Sequence, residues 1–252
     1  MPRVEHLLRA TARAEARHFW FRGLRAFAIP LLRRALGGRR DARLLDCGCG
    51  TGANVDLLAR FGRAYGFDLS AVGLRLGREA GRTRLARATV TAAPFPSASF
   101  DLVSSFDVLY SLQDGDERSA ISEMYRLLKP GGYALVNVAA MEVLRGDHSV
   151  LSRELRRYSR ADLRKRLEAA GFVVERITYT NAALFLPMVV GRALQRRRGL
   201  RPEGETEQEI SVPPEPLNAL LTAAVAVEGL WLRWFDEPFG SSLLCLARKP
   251  LS

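Results

Sequence analysis

Residues 44–52 read LLDCGCGTG, an apolar run that ends in Asp46 and passes into three alternating glycines. An apolar strand that stops at such a bend predicts a strand-to-helix turn, because glycine lets the chain turn sharply and lets a ligand approach the backbone closely. We therefore interpret residues 46–52 as the centre of a ligand site. A tight turn with a purely structural role is the alternative.

A second acid, Asp68, follows Asp46 by 22 residues, at the end of the next predicted strand. A carboxylate at this place can accept hydrogen bonds from both hydroxyls of a ribose, so the two acids indicate a nucleoside site. Alternatively, Asp68 only caps the helix that begins after Ser70. The nucleotide stays open at this point, because residues 48–53 also satisfy the looser G-x-G-x-x-A pattern of dinucleotide enzymes.

Strand-like and helix-like segments alternate after residue 42, which is typical of parallel strands joined by crossover helices. The predicted strands are 43–47, 63–68, 86–91, 100–105, 132–138, 172–180 and 242–248, and the predicted helices are 53–61, 71–81, 116–128 and 161–170. Ser159 and Asp162 form a capping-box pattern before the last of these helices, and Gly171 marks its end. Two short helices are expected within residues 5–36.

The expected fold is α/β: a doubly wound, seven-stranded, mostly parallel sheet with N-terminal helices and a helical insertion before the last strand. Residues 1–40 are expected to form a helical lid, residues 41–180 and 241–252 the core, and residues 181–240 the insertion. The insertion is longer than a connection requires, so we expect it to cover the substrate mouth or to form an interface.

The chain of 252 residues is 48% hydrophobic and 26% charged, as in soluble globular proteins. Its net charge of +11 comes from arginines scattered without an aromatic-basic motif, which argues against a nucleic-acid partner. The dense basic run at 192–201 is the best candidate for an anion contact. Residues 217–235 reach the length of a membrane span, but Asn218, Glu228 and Arg233 predict a helix packed on the domain instead.

The three cysteines, Cys47, Cys49 and Cys245, fit neither a disulfide framework nor a metal cluster. We therefore expect a reducing compartment, the cytoplasm, and no bound metal. The first 36 residues contain many arginines and only a short apolar run that a proline interrupts, so no export signal is expected.

Three ordered segments resemble the type 11 subfamily of class I S-adenosylmethionine (SAM) dependent methyltransferases. Residues 44–52 are similar to motif I of that class, residues 93–103 (APFPSASFDLV) to its "LPFPDASFDLV" segment, and residues 125–135 (YRLLKPGGYAL) to its "RVLKPGGxL" turn. The resemblance covers residues 42–171, with a weaker continuation through 238–250 that is similar to the closing strand of a bacterial subgroup. It implies a Rossmann-like methyltransferase fold, an enzyme, and SAM as cofactor with S-adenosylhomocysteine as product.

In that class the acid before the glycines, here Asp46, contacts the methionine end of the cofactor, an acid that dinucleotide enzymes rarely show. Two positions depart from the family pattern: Thr89 stands where many relatives have an aspartate for the adenine amine, and residues 110–112 (YSL) replace a common "HL". The adenine contact is then expected to be weaker or to come from backbone near Ala92. The other residues expected at the cofactor are Gly48, Cys49, Gly50, Gly52, Asp68, Leu69, Ala93 and Phe106.

The methyl group of SAM is already activated, so the protein mainly has to align a nucleophile and exclude water. His148, in the loop after the fifth strand, is the candidate general base, and an ordinary solvated pair with Asp147 is the alternative. Asp107 could face cofactor or acceptor, or cap a turn. Arg157 and Tyr158 match an "RRYS" element of the same subgroup and could fix an acceptor oxygen or shape the pocket.

Residues 18–22 (HFWFR) match an aromatic stretch of that subgroup and are expected to cover the cofactor or the acceptor, with core packing as the alternative. The preferred function is methyl transfer to an oxygen or nitrogen of a small or medium natural acceptor: a sugar, a lipid-linked glycan or a secondary metabolite. RNA or protein methylation, and a non-catalytic SAM-binding protein at a membrane surface, are the alternatives. A monomer or a homodimer is expected.

Overall fold

The computed structural model describes residues 2–146, 149, 154–198 and 212–251. Seven strands form one sheet: β1 (Arg43–Cys47), β2 (Arg63–Asp68), β3 (Leu85–Arg87), β4 (Phe100–Phe106), β5 (Leu128–Ala139), β6 (Val173–Thr180) and β7 (Ser242–Arg248). Their order is β3-β2-β1-β4-β5-β7-β6. β7 runs antiparallel to β5 and β6, and the neighbours from β3 to β5 are parallel, which confirms the doubly wound, mostly parallel sheet.

Helices cover both faces of this sheet. They are α1 (Pro2–Ala14), α2 (Phe19–Leu36), α3 (Ala53–Leu58), α4 (Ala71–Glu79), α5 (Asp114–Leu127), α6 (Arg160–Ala169), α7 (Phe185–Arg197) and α8 (Glu215–Trp231). Buried side chains of α2, α3, α4 and α8 pack against one face, and those of α5 and α6 against the other. α2 is therefore a core helix over most of its length, although its sequence belongs to the predicted lid.

Successive residues of the central strands point to opposite faces, as the pleat of a strand requires. Leu44 and Leu102 join the apolar cluster beneath α2, whereas their neighbours Leu45 and Val103 join the cluster beneath α5. All four side chains are fully buried, so both faces of the sheet are covered. The strands read as continuous apolar runs for this reason.

The chain order reverses between β1 and β4, which are neighbours in the sheet although two strands separate them in sequence. In such sheets a crevice opens beyond the carboxyl ends of the strands at the reversal, because the helices that follow diverge to opposite faces. Here that crevice lies between the glycine bend after β1 and residues 106–108 after β4. The topology thus places the glycine bend where a ligand can reach it.

The third strand is shorter than predicted, ending at Arg87 instead of residue 91. Beyond it the chain turns back on itself: Ala92 N donates to the Thr89 carbonyl, and Thr89 Oγ1 lies 3.0 Å from Thr91 Oγ1. These local hydrogen bonds replace a strand ladder, as threonine side chains at turns often do. β5, in contrast, begins at Leu128, four residues before the predicted start.

α8 packs on the domain through two buried polar side chains. Asn218 Oδ1 accepts from Phe19 N at 3.0 Å, and Asn218 Nδ2 donates to the Arg17 carbonyl at 3.0 Å. The Glu228 carboxylate accepts from the backbone amides of residues 182 and 183. These side chains therefore bind other parts of the protein, and no helix among the described residues is long and apolar enough to cross a membrane.

Asn218→Ala is expected to lower the free energy of unfolding by about 2–3 kcal/mol, because the substitution leaves a backbone donor and an acceptor buried without partners. Chemical denaturation followed by circular dichroism measures this change. Leu220→Ala, at an exposed position of the same helix, is the control and is expected to stay within about 0.5 kcal/mol of the parent. Equal stability of the two variants would contradict the capping role of Asn218.

Candidate active site

A cavity of about 710 Å³ lies beyond the carboxyl ends of β1 and β4. This volume is within the range of about 300–1,000 Å³ that small-ligand sites occupy. Its walls come from the end of α1, the start of α2, the glycine bend, the loops after β2 and β4, residues 154–157 and one face of α7. The cavity is therefore lined by segments from most of the chain.

The glycine bend forms the floor of the cavity. Gly48 has φ +80° and Gly50 has φ +55°, in the left-handed region that favours glycine. A Cβ atom on Gly48 would lie 2.5 Å from Val108 Cγ2, so a side chain there would collide with the loop after β4. Gly48, Cys49 and Gly50 line the cavity as predicted residues, and their backbone is open to a ligand.

Asp46 lies behind this bend, 1% exposed. Its Oδ1 accepts a hydrogen bond from Ser104 Oγ at 2.7 Å, whereas Oδ2 has no hydrogen-bond partner among the described residues. Burial raises the pKa of Asp46 to about 7. A buried carboxylate oxygen without a donor is costly. Asp46, a predicted cofactor residue, is not among the residues that line the cavity.

Asp68 is held at the wall of the cavity by two backbone donors. Gly50 N donates to Asp68 Oδ2 at 2.8 Å, and Ser70 N donates to Asp68 Oδ1 at 2.7 Å. Each carboxylate oxygen can accept a second hydrogen bond. Ser70, not Asp68, caps α4 with its side chain, and the next residue, Leu69, lines the cavity and is largely exposed.

α4 packs directly on the glycine bend through two glycines of its own. A Cβ atom on Gly73 would lie 2.8 Å from the Gly50 carbonyl oxygen, and one on Gly77 would lie 2.3 Å from the Thr51 carbonyl oxygen. The two glycines are four residues apart and therefore lie on one face of the helix. The sequence interpretation missed this pair, for which the spacing of small residues in 71–79 was the available signal.

A polar cluster ties the end of α1 to the glycine bend. Thr51 Oγ1 donates to Glu15 Oε2 at 2.5 Å, and Arg82 Nη1 lies 3.0 Å from both Glu15 Oε1 and the Thr51 carbonyl. Arg25 donates to the Glu15 carbonyl, and burial lowers the pKa of the Arg25 guanidinium. Glu15 and Arg25 both line the cavity. The N-terminal helices are thus attached to the site by named contacts.

The aromatic stretch 18–22 also reaches the cavity. His18, Trp20 and Phe21 line it, and His18 Nδ1 accepts from Trp20 N at 3.1 Å, which caps α2. The acceptor role of Nδ1 places a ring proton on Nε2 in the neutral imidazole. Residues further along α2, such as Phe27, are buried in the core. The stretch therefore combines a cavity wall with a helix start.

Asp107, with φ +61°, adds a further carboxylate to the cavity wall. Asn137 Nδ2 donates to Asp107 Oδ1 at 2.9 Å, and Asp107 N donates to the Asn137 carbonyl at 3.0 Å. Burial, with a smaller contribution from the neighbouring Glu154 carboxylate, raises the pKa of Asp107 to about 7. A carboxyl group with this pKa can hold or release a proton near neutral pH.

An ion pair forms the wall beside Asp107. Arg157 Nη2 lies 2.9 Å from Glu154 Oε2, both side chains are nearly buried, and Arg157 Nη1 donates to the Ala140 carbonyl. Tyr110 also lines the cavity here, and burial raises the pKa of its hydroxyl. The cavity wall beside Asp107 is consequently polar, and the ion pair holds its donor and acceptor groups in place.

Several predicted site residues lie off the cavity wall. Tyr158 is 2% exposed, and its hydroxyl donates to Glu117 Oε1 at 2.7 Å on the far side of the loop. Ala93 N donates to Glu123. Ala92 and Ala93 do not line the cavity, whereas Thr89 and Val90 do. Gly52 is the N-cap residue of α3 and packs toward Leu85. Phe106 does line the cavity, and His148 lies outside the described residues.

Sequence interpretation did not identify other wall residues: Glu15, Arg25, Glu154, Met188 and Arg192. They come from segments that share no pattern with the glycine bend, and the chain brings them to it only through the packing of α1, α2 and α7. The basic run at 192–201 was a signal for Arg192, although it pointed to an anion contact and not to the cavity. Nothing in the sequence around Glu154 distinguishes it from a surface acid.

Residues 45–136 match the type 11 family model that is described as a methyltransferase domain. The chain is 34% identical over 137 residues to a ubiquinone/menaquinone biosynthesis C-methyltransferase of Pseudoalteromonas translucida, covering 49% of this chain and 51% of that protein. It is 32% identical over 162 residues to the "Probable S-adenosylmethionine-dependent methyltransferase" of Mycolicibacterium smegmatis (63% and 61%). It is 35% identical over 155 residues to the malonyl-[acyl-carrier protein] O-methyltransferase of Enterobacter lignolyticus (57% and 58%). The chain thus spans half to three fifths of the length of these curated relatives.

Among solved structures, the fold is similar to a chain in the complex of the Haloferax volcanii Trm112 methyltransferase activator with a methyltransferase: the TM-score is 0.61 at 19% identity, over 96% of this chain and 97% of that one. It is also similar to the phosphoethanolamine N-methyltransferase 2 of Haemonchus contortus, solved with SAM, at a TM-score of 0.55 and 20% identity (89% and 53%). These similarities concern the fold. The family match identifies residues 45–136 as a methyltransferase domain, and the solved structures share its fold over most of the chain.

Proposed function

We propose that this protein transfers the methyl group of SAM to an oxygen or nitrogen of a small or medium natural acceptor, such as a sugar, a lipid-linked glycan or a secondary metabolite. The observation that carries the proposal is one cavity that is lined both by the glycine bend with Asp68 and by Asp107. The bend and Asp68 suit a nucleoside, and Asp107 offers a carboxyl group that titrates near neutral pH.

The residues around the glycine bend fit SAM. Asp68 can accept from the ribose hydroxyls, and the open backbone of Gly48 and Gly50 leaves room for a ligand against the chain. The Asp46 carboxylate, with one oxygen that lacks a donor, suits the positively charged methionine end. Thr89 and Val90 would line the adenine end.

Bound SAM supplies a methyl group that its sulfonium already activates, so the protein needs little covalent chemistry. The chain's own residues would position the acceptor, exclude water and take its proton. Asn137 holds Asp107 Oδ1, which leaves Oδ2 to accept the proton of an acceptor hydroxyl or amine. Arg157, fixed by Glu154 and the Ala140 carbonyl, would orient the acceptor from the side.

The other two predicted catalytic residues, Tyr158 and His148, are given different roles in this proposal. Tyr158 donates to the buried Glu117 and is expected to support the loop that carries Arg157, not to contact the acceptor. His148, which lies outside the described residues, remains a candidate general base in addition to Asp107 on the ground of its sequence position alone. A comparison of the Asp107 and His148 variants distinguishes the two.

Asp107→Asn is expected to lower kcat about 100-fold with little change in SAM affinity, because the amide keeps the contact to Asn137 but cannot take a proton. With Asp107 as the base, the parent should lose activity as pH falls through about 7, since the carboxyl group works only when deprotonated. Rate profiles from pH 5 to 9 measure this loss. Asp116→Asn, on the exposed start of α5, is the control.

The same titration can be followed without any acceptor, by NMR of labelled aspartate carboxyls. Two aspartate resonances, from Asp46 and Asp107, are expected with a pKa near 7, and one of them should disappear in Asp107→Asn. An unchanged kcat profile in that variant, together with a strong loss in His148→Ala, would transfer the role of base to His148.

The proposal is tested by incubating the protein with methyl-labelled SAM and a panel of sugars, glycolipids, phenols and amines, with S-adenosylhomocysteine release as a general readout. We infer a cytoplasmic protein, monomeric or homodimeric, which is supported by three buried cysteines that are free thiols. Salt-sensitive methylation of bulk RNA would favour an RNA acceptor instead. SAM binding without transfer to any acceptor would favour a non-catalytic, membrane-peripheral protein.

A further inference from the structure

We propose that α7 and α8 form a docking surface for an anionic lipid bilayer, an interaction that goes beyond methyl transfer and does not depend on it. Both helices expose large apolar side chains. We call this surface the α7–α8 face: Leu186, Val190, Leu194, Leu217, Leu220, Val227, Leu230, Trp231, Trp234 and Phe235. Scattered exposed leucines are ordinary on soluble proteins, but this number on two neighbouring helices marks an interaction surface.

α7 has two different faces. Exposed apolar residues recur every four positions at 186, 190 and 194, with Leu186 71% exposed. The residues that line the cavity are Met188, Arg192 and Gln195. Because each residue turns the helix by about 100°, these two sets lie on opposite sides of α7. The outer stripe is therefore not part of the wall of the active site, and no described element covers it.

α8 presents a similar stripe on the side away from α2. Its exposed residues at 217, 220, 227, 231 and 234 follow the three-and-four spacing of one helix face, continued into the turn after α8. Trp231 and Phe235 stack with ring centroids 4.4 Å apart, and Trp234 is 71% exposed. Tryptophan is enriched where membranes meet water, because its ring is apolar and its N–H is polar.

The segment that leads into α7 is attached to the last turns of α8. The Glu228 carboxylate on α8 accepts from the two backbone amides that precede α7, at 3.1 and 3.2 Å. Phe185, the first residue of α7, lies with its ring 5.1 Å from that of Phe239 beyond α8. The first turn of α7 therefore lies beside the last turns of α8.

The charge favours a bilayer over a second copy of the chain. α7 contains no acid and ends in the exposed Arg197, which the exposed Arg198 follows, and the exposed Arg233 follows α8. The chain as a whole carries +11, so two copies that meet through this face would repel each other. An anionic lipid surface attracts the same arginines.

Flotation of the full chain with vesicles tests this proposal. The protein is expected to bind vesicles of phosphatidylcholine mixed with an equal part of phosphatidylglycerol, and to bind phosphatidylcholine alone about tenfold less. Val227→Asp combined with Trp234→Asp should reduce binding to the mixed vesicles about tenfold, as should Arg197→Glu combined with Arg198→Glu. High salt should weaken binding of the parent, because arginine contacts with lipid headgroups are screened.

Val173→Asp is the matched control: Val173 is 55% exposed and lies on β6, outside the α7–α8 face, whereas Val227 is 65% exposed. This variant should bind like the parent, and thermal melting checks that all variants fold. Equal binding by all variants, or no binding by the parent, would overturn the proposal. A dimer that Trp234→Asp dissociates would instead assign the face to a second copy.

One further outcome would also overturn it. The sequence between α7 and α8 carries four glutamates outside the described residues, at positions 203, 205, 207 and 209. If the parent does not bind and replacement of these four by glutamine restores binding, the occupant of the face is that acidic segment and not a bilayer.

Discussion

Asp68→Ala is expected to weaken SAM binding about 100-fold. The carboxylate can accept from both ribose hydroxyls, and charged hydrogen bonds of this kind contribute about 1.5–3 kcal/mol each, so their loss corresponds to two orders of magnitude or more. The substitution also frees the backbone N–H groups of Gly50 and Ser70, which Asp68 now holds. Calorimetric titration with SAM and with S-adenosylhomocysteine measures the loss.

Two further variants make this result specific. Asp68→Asn retains a hydrogen-bond acceptor without the charge and is expected to fall between the parent and the alanine variant. Asp41→Ala, at an exposed carboxylate before β1 that pairs with Arg39, removes one acid far from the cavity and should leave affinity unchanged. A folded Asp68→Ala protein with the affinity of the parent would eliminate Asp68 as a ribose ligand, and with it the proposed cofactor site.

Gly77→Ala is expected to lower the free energy of unfolding by about 3 kcal/mol, since overpacking of a tight contact costs about 1–3 kcal/mol or more. The added Cβ would lie 2.3 Å from the Thr51 carbonyl oxygen and 2.7 Å from Leu85 Cδ1, so α4 has to move away from the glycine bend. The melting temperature should fall by about 6–12 °C for a chain of this size. SAM affinity should fall as well, because the displaced bend forms the cavity floor.

The chain provides a matched control in Gly191→Ala. Gly191 also lies inside a helix, α7, but a Cβ atom there would meet nothing within 4 Å. Alanine is a better helix former than glycine by about 1 kcal/mol, so this variant should be at least as stable as the parent. If both substitutions stabilise the protein, the close packing of α4 on the bend is not what the distances indicate.

Much of the fold could be predicted because its signals are local. β1 and β7 have the predicted bounds, since each is a short apolar run that a turn or a break follows. The capping box of Ser159 and Asp162 is present and begins α6 one residue before the predicted start. The third strand was overpredicted because residues 88–91 have strand-like composition, whereas the hydrogen bonds of Thr89 turn the chain there.

In the candidate site, too, the residues that could be predicted are those whose signals in the sequence are local. Gly48, Gly50 and Asp68 lie at the cavity because neighbouring residues set their geometry, and the strand order brings the ends of β1 and β2 together. Glu154 and Met188 reach the cavity only through the packing of distant segments, which no pattern in the sequence encodes. Tyr158 is the opposite case. The local sequence around it resembles a family element, but its hydroxyl donates to Glu117 and does not reach the cavity.

The attachment of Asp68 to the amides of Gly50 and Ser70 also bears on the thermodynamics of recognition. Because these hydrogen bonds are made within the chain, the bend is expected to lose its conformational entropy during folding and not on association. Less of the binding free energy is then lost to ordering of the bend, so the ligand binds more tightly. Amide hydrogens at both positions should therefore exchange slowly with solvent even in the empty protein.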